Sequence, residues 1–128
     1  MAESAGLHEP ADLLSPETID RHRAIVSLQE ELEAIDWYDQ RVAAATDPEL
    51  AAILAHNRDE EKEHAVMTLE WLRRRDPVFD SNLRTYLFTT APVTEVESEA
   101  EGSKDGSEPA QQSVLGSLGI GSLREDAQ

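Results

Sequence analysis

The sequence contains no cysteine, which excludes disulfides, zinc–thiolate sites and cysteine-held iron–sulfur clusters. Basic residues are scarce, with 11 Lys plus Arg against 27 Asp plus Glu and a formal net charge of −16. Nucleic acid and anionic membrane surfaces both require a basic footprint, so neither is an expected partner. Such a surface concentrates cations instead, and metal ions are the natural small partners. Long apolar runs are missing as well. The first thirty residues lack the apolar core of a signal peptide, and no stretch approaches the ~20 apolar residues of a membrane span. The expectation is a soluble, intracellular protein of about one domain.

Glycine and proline are absent between Pro16 and Pro48, and that uninterrupted stretch is rich in helix formers. Ser15-Pro16-Glu17-Thr18 is a helix start, with Ser15 as cap and Pro16 at the first helical position. Thr46-Asp47-Pro48-Glu49 repeats the signal, so a first helix to about Ala45 turns directly into a second that ends at Arg73-Arg74-Arg75, before Asp76-Pro77. So short a connection makes the two helices antiparallel neighbours. A shorter third helix is expected over Val78–Thr89, with Phe79, Leu83, Tyr86 and Leu87 on one side. The fold class is all-α, with residues 15–92 as a helical half-bundle and 1–14 as a loose arm. Residues 93–112, rich in Glu, Ser, Gly and Lys over Glu95–Gln112, read as a solvated, disordered linker. Residues 113–128 regain Leu and Ile among glycines and serines. That segment is either a slightly sticky tail or an extended docking peptide whose apolar side chains enter pockets on a partner.

Both long helices carry apolar stripes whose middles are polar. On the first, Leu28, Ile35 and Val42 are seven apart, with Glu31 and Tyr38 interleaved. The second offers Leu50, Leu54, Asn57, Glu61, His64, Thr68 and Trp71 at alternating steps of four and three. Unpaired carboxylates at core positions are costly, and a metal ion is one compensating partner. Glu61 and His64 are three apart and project from one helical face, so together they can grip one ion. With the turn between residues 45 and 48, positions summing to about 93 lie side by side. Glu31 then falls level with Glu61, both about 20 Å from the turn.

Glu-x-x-His pairs recur in four-helix di-iron carboxylate proteins, which need two such pairs and a Glu from each of two further helices. This chain holds half of that set. A two-fold pairing of two chains would supply the rest, and the charge of its carboxylates would balance two divalent cations. Carboxylate-rich sites with one His per ion suit iron or manganese. Tyr38, on the ligand stripe, is either a hydrogen-bond partner of a ligand or an ordinary core tyrosine. Trp37 reads as packing rather than chemistry. Glu30 and Glu33 are either solvated surface acids or an outer site that attracts cations. His8, His22 and His56 have no converging carboxylate, and Glu60 and Glu63 should face outward.

Several long runs resemble the encapsulated ferritins. They include Arg21-His22-Arg23-Ala24-Ile25-Val26-Ser27, Glu30-Glu31-Leu32-Glu33-Ala34, Asp36-Trp37-Tyr38-Asp39-Gln40-Arg41 and Ile53 through His64. The resemblance continues through Thr68-Leu69-Glu70-Trp71-Leu72-Arg73-Arg74 and Leu83-Arg84-Thr85-Tyr86-Leu87-Phe88, covering roughly His8 to Pro92. The run Gly116 to Arg124, with Gly-Ser-Leu twice, is similar to the cargo-loading peptides of encapsulin shells, which marks 113–128 as such a peptide.

The resemblance implies a ferroxidase in a cytoplasmic encapsulin nanocompartment, oxidising Fe(II) to Fe(III) with O2 for iron storage. It also implies two-helix protomers that pair as homodimers into a ferritin-like four-helix bundle and assemble as a decameric ring braced by the third helix. Glu31, Glu61 and His64 match the family's di-iron ligands, and Tyr38 and Trp37 its neighbouring aromatics. Glu30 and Glu33 match its outer metal-entry acids, with iron, Ca2+ or another divalent cation as occupant. Two other classes compete: a non-catalytic helical cargo or scaffold protein that binds divalent metal, and a di-iron protein handling O2 or peroxide.

Overall fold

The computed structural model describes residues 6–106, and every regular element among them is helical. The chain divides into two compact units, one running through Arg75 and the other beginning at Asp76. The expected cargo-loading segment, 113–128, lies outside the described residues.

In the first unit, a short 3-10 turn at Ala11–Leu13 precedes α1 (Pro16–Ala44), so part of the expected loose arm is locally ordered. Ser15 caps α1 as its sequence predicts: its side chain accepts the Thr18 N–H at 3.1 Å, with Pro16 in the first turn. After residues 45–47, α2 runs Pro48–Arg75, and the Asp47 carboxylate accepts the Leu50 N–H at 2.8 Å. Each cap satisfies a donor that the first helical turn leaves without a partner. Two cross-helix contacts, Glu31 with His64 and Asp39 with Arg58, run in opposite sequence directions, so the helices are antiparallel.

Apolar burial in this hairpin is slight. Among the described residues only Ala65 and Leu72 are buried. The stripe Leu28, Glu31, Ile35, Tyr38 and Val42 is half-buried, while Ile25, Leu32, Ile53, Val66 and Met67 are exposed. No described helix is long and apolar enough to cross a membrane.

The second unit departs from the sequence expectation twice. Here α3 spans Pro77–Tyr86 rather than Val78–Thr89. Asp76 starts it by accepting the Val78 and Phe79 N–H groups, each at 3.0 Å. It ends at Tyr86 because Leu87 already turns to extended backbone, φ −71° and ψ 144°, and Phe88 after it is left-handed at φ 65°, so the helix cannot resume. The Thr89 hydroxyl then donates to the Tyr86 carbonyl at 2.8 Å, satisfying an acceptor the helix end leaves open.

The expected linker is also corrected. Val93–Gly106 forms a further helix, α4, packed on α3, whose first-turn amides Glu95 and Val96 donate to the Pro92 carbonyl. Glutamate is a good helix former, and Glu95 suits the positive end of the helix. Val96 and Ala100, four apart and half-buried, supply the apolar stripe that composition alone concealed.

Candidate metal centre

Glu31 projects from the middle of α1, and Glu61 and His64 from successive turns of α2. One ligand atom from each lies within 4.8 Å of the other two, the spacing of groups that can share an ion. His64 Nδ1 is 3.2 Å from Glu61 Oε1 and 3.7 Å from Glu31 Oε1. The Nδ1 atom therefore faces both carboxylates. The glutamates are only 27 % and 25 % exposed, whereas His64 is 46 % exposed, so the cluster is open on its imidazole side. One turn on, the Thr68 hydroxyl donates to the His64 carbonyl at 3.3 Å.

The electrostatics are those of two acids and an imidazole crowded together. Glu31 is held above the usual carboxyl range, chiefly because it shares a hydrogen bond with Glu61 and secondarily through desolvation. Glu61 is displaced downward by the same hydrogen bond. Of the two carboxyls, Glu31 is therefore the one that takes up a proton more readily. His64 is raised, first by its hydrogen bond to Glu61 and then by the surrounding negative charge. A divalent cation can take the place of these protons, with two oxygens and one nitrogen as donors. That mixed, carboxylate-rich set fits iron or manganese.

The other sequence candidates do not join this cluster within one chain. Glu30 is exposed and Glu33 half-buried on α1. Tyr38 lies beside the Arg41 guanidinium, 5.3 Å from ring centroid to carbon, and Trp37 is half-exposed. His56 Nε2 approaches Glu60 Oε2 at 3.4 Å on the outer face of α2. Glu60 and Glu63 are exposed, as their positions off the stripe predict.

A cross-helix bridge escaped the sequence reading. Arg58 Nη1 donates to Asp39 Oδ1 at 2.9 Å, and its Nε to Asp59 Oδ1 at 3.1 Å. Its signal was a pair of opposite charges, Asp39 and Arg58, whose positions sum to 97, about one helical turn from the level the turn dictates.

A family model described as EncFtn-like matches residues 6–90, about two thirds of the chain. The chain belongs to the EncFtn-like family. It is 60 % identical to an encapsulated ferritin-like protein of Rhodospirillum rubrum, over 99 % of this chain and 94 % of that one. An encapsulin nanocompartment cargo protein of Myxococcus xanthus is 32 % identical, over 77 % of this chain and 80 % of its own length. The crystal structure of protein ne0167 from Nitrosomonas europaea superposes with a TM-score of 0.67 at 66 % identity, covering 69 % of this chain and 97 % of that one. The match to the EncFtn-like family takes in Glu31, Glu61 and His64 along with α1, α2 and α3.

Proposed function

We propose that this EncFtn-like chain is a ferroxidase that oxidises Fe(II) to Fe(III) with O2 at a centre completed by two copies, for iron storage as cargo of an encapsulin shell. The observation that carries the reading is the convergence of Glu31, Glu61 and His64 on one point from two helices. Each chain offers half the donor set of a di-iron carboxylate bundle. Two copies together bring four carboxylates and two imidazoles, and the four negative charges offset two divalent ions. The relatives' names, encapsulated ferritin-like protein and encapsulin cargo protein, support a shell as partner. In this reading residues 113–128 dock to the shell, and dimers associate further into a ring.

Fe(II) is the substrate. Glu31 and Glu61 bind it through their carboxylates, and His64 binds through the Nδ1 that already faces them. Oxygen donors favour the ferric state, which lowers the cost of oxidation. Two Fe(II) ions give up two electrons, which with two protons reduce O2 to hydrogen peroxide; four ions carry the reduction to water. The exposed imidazole side gives ions and O2 a way in. Glu30 and Glu33 attract Fe(II), Ca2+ or another cation towards it, and Tyr38 and Trp37 flank the centre in the pair.

The test is anaerobic Fe(II) loading followed by O2, read as growth of ferric absorbance. Glu31→Ala, Glu61→Ala and His64→Ala are each expected to slow it at least about 100-fold. Unchanged rates in all three would leave a non-catalytic cargo protein. Removing Ser113–Gln128 is expected to abolish co-purification with the shell and leave oxidation intact.

A further inference from the structure

The three candidate ligands stand on two helices whose relative level is fixed by little apolar packing. The two buried residues, Ala65 and Leu72, lie on α2 at and beyond His64, on the side of the centre away from the α1–α2 turn. Between the centre and the turn no described residue is buried. The link given there is polar: Arg58 reaches Asp39 across the hairpin at 2.9 Å and Asp59 on its own helix at 3.1 Å. Lys62 adds a contact to the same Asp59 oxygen at 3.3 Å. The Arg58 side chain is 22 % exposed, so the guanidinium lies against the hairpin, while its partners Asp39 and Asp59 stay exposed to solvent.

Geometry gives the bridge leverage on the centre. Arg58 precedes Glu61 by three residues, just under one turn on the same side of α2. A slip of α1 by a single residue would move Glu31 by about 1.5 Å and rotate it by about 100°, removing it from Glu61 and His64. The short connection at 45–47 also limits slip, but it acts from about 20 Å away. A guanidinium is a rigid planar fork that fixes direction as well as distance, which a lysine ammonium does not.

We propose that Arg58 is a positioning residue: by joining Asp39 to Asp59 it sets the level and rotation of α1 against α2 and so keeps Glu31 in reach of Glu61 and His64. The proposal rests on the metal-centre reading above. It assigns Arg58 no direct contact with the metal.

Co(II) bound to the full-length protein provides the test, because its visible absorption reports the number and arrangement of its ligands. Arg58→Met keeps helix propensity and removes the fork. Asp39→Ala removes the exposed far partner and leaves α1 a good helix former. Both variants are expected to bind Co(II) about fivefold more weakly, with a changed visible spectrum, while helix content by circular dichroism stays at the parent level. Arg58→Lys, which keeps the charge and loses the fork, should fall with Arg58→Met. A role in folding alone would lower the melting temperature and leave the Co(II) spectrum of the folded protein as in the parent. If Arg58→Met fails to fold, Asp39→Ala decides. Parent-like spectra and affinities in the folded variants overturn the proposal. Failure of the parent itself to bind Co(II) overturns the metal-centre reading, and this proposal with it.

Discussion

Protons compete with metal at Glu31 and His64, both raised, in the centre proposed for this EncFtn-like chain, and this competition sets a pH dependence with a definite sign. His64 lies above its ordinary value of 6.5 because Glu61 hydrogen-bonds its ring. A ligating Nδ1 must be unprotonated. Affinity therefore falls as pH is lowered through that raised value, by about tenfold per pH unit for each proton displaced. It falls more steeply where the raised Glu31 carboxyl also takes up its proton, and levels off above both values. Calorimetric titration with Co(II) in buffers of different ionisation enthalpy is expected to show net proton release near neutrality. Release of no proton, with pH-independent affinity, would mean that the cluster is not the binding site.

At the scale of elements, the punctuation of the chain was legible. Ser15-Pro16 and Asp47-Pro48 each place an acceptor before the proline at which a helix begins, while Asp76-Pro77, legible as the stop of α2, is also the cap and start of α3. The level of Glu31 against Glu61 followed from counting back from the turn. What escaped notice lacks a local signal. Leu87 leaves α3 in extended backbone and Phe88 then takes a left-handed conformation usually given to glycine or asparagine, so nothing in the sequence marks the stop. In α4 the helical stripe is only Val96 and Ala100, too thin to stand out from its acidic surroundings. The Arg58 bridge is long-range, offset by about a turn from side-by-side pairing, and arginine's reach made the contact possible. Phe88 also yields a test. Its side chain is 81 % exposed, so Phe88→Gly loses little packing and relieves about 1 kcal/mol of left-handed strain, partly offset by glycine's chain entropy. Thermal melting of the variant should show unchanged or slightly raised stability. A loss above about 1 kcal/mol would show that the ring makes contacts the single chain does not contain.

As a whole molecule, the single hairpin leaves much of its apolar surface in water. A chain of 128 residues that buries only Ala65 and Leu72 among its described residues gains little from its own packing, while Ile25, Leu32, Ile53, Val66 and Met67 remain in water. Pairing with a second copy would bury such surface and close the half-set of ligands. Opposing it is a net charge of −16 per chain, with carboxylates brought towards each other at the proposed interface. Metal resolves that conflict, so the pair should tighten when metal binds. With Fe(II) kept reduced at about 100 times its dissociation constant, and bound only by the pair, the dimer is expected to tighten about 100-fold for each of its two ions, about 10,000-fold in all, relative to chelator. Sedimentation velocity reads this directly, and equal association in both conditions would separate assembly from the centre.

The most direct measurement is anomalous diffraction from iron-loaded crystals of the full-length chain. Iron peaks lying between two copies, each ion reached by Glu31, Glu61 and His64 side chains drawn from both, are the expected result. Iron held by one chain alone, or Glu31 and His64 facing solvent away from any two-fold axis, would contradict it.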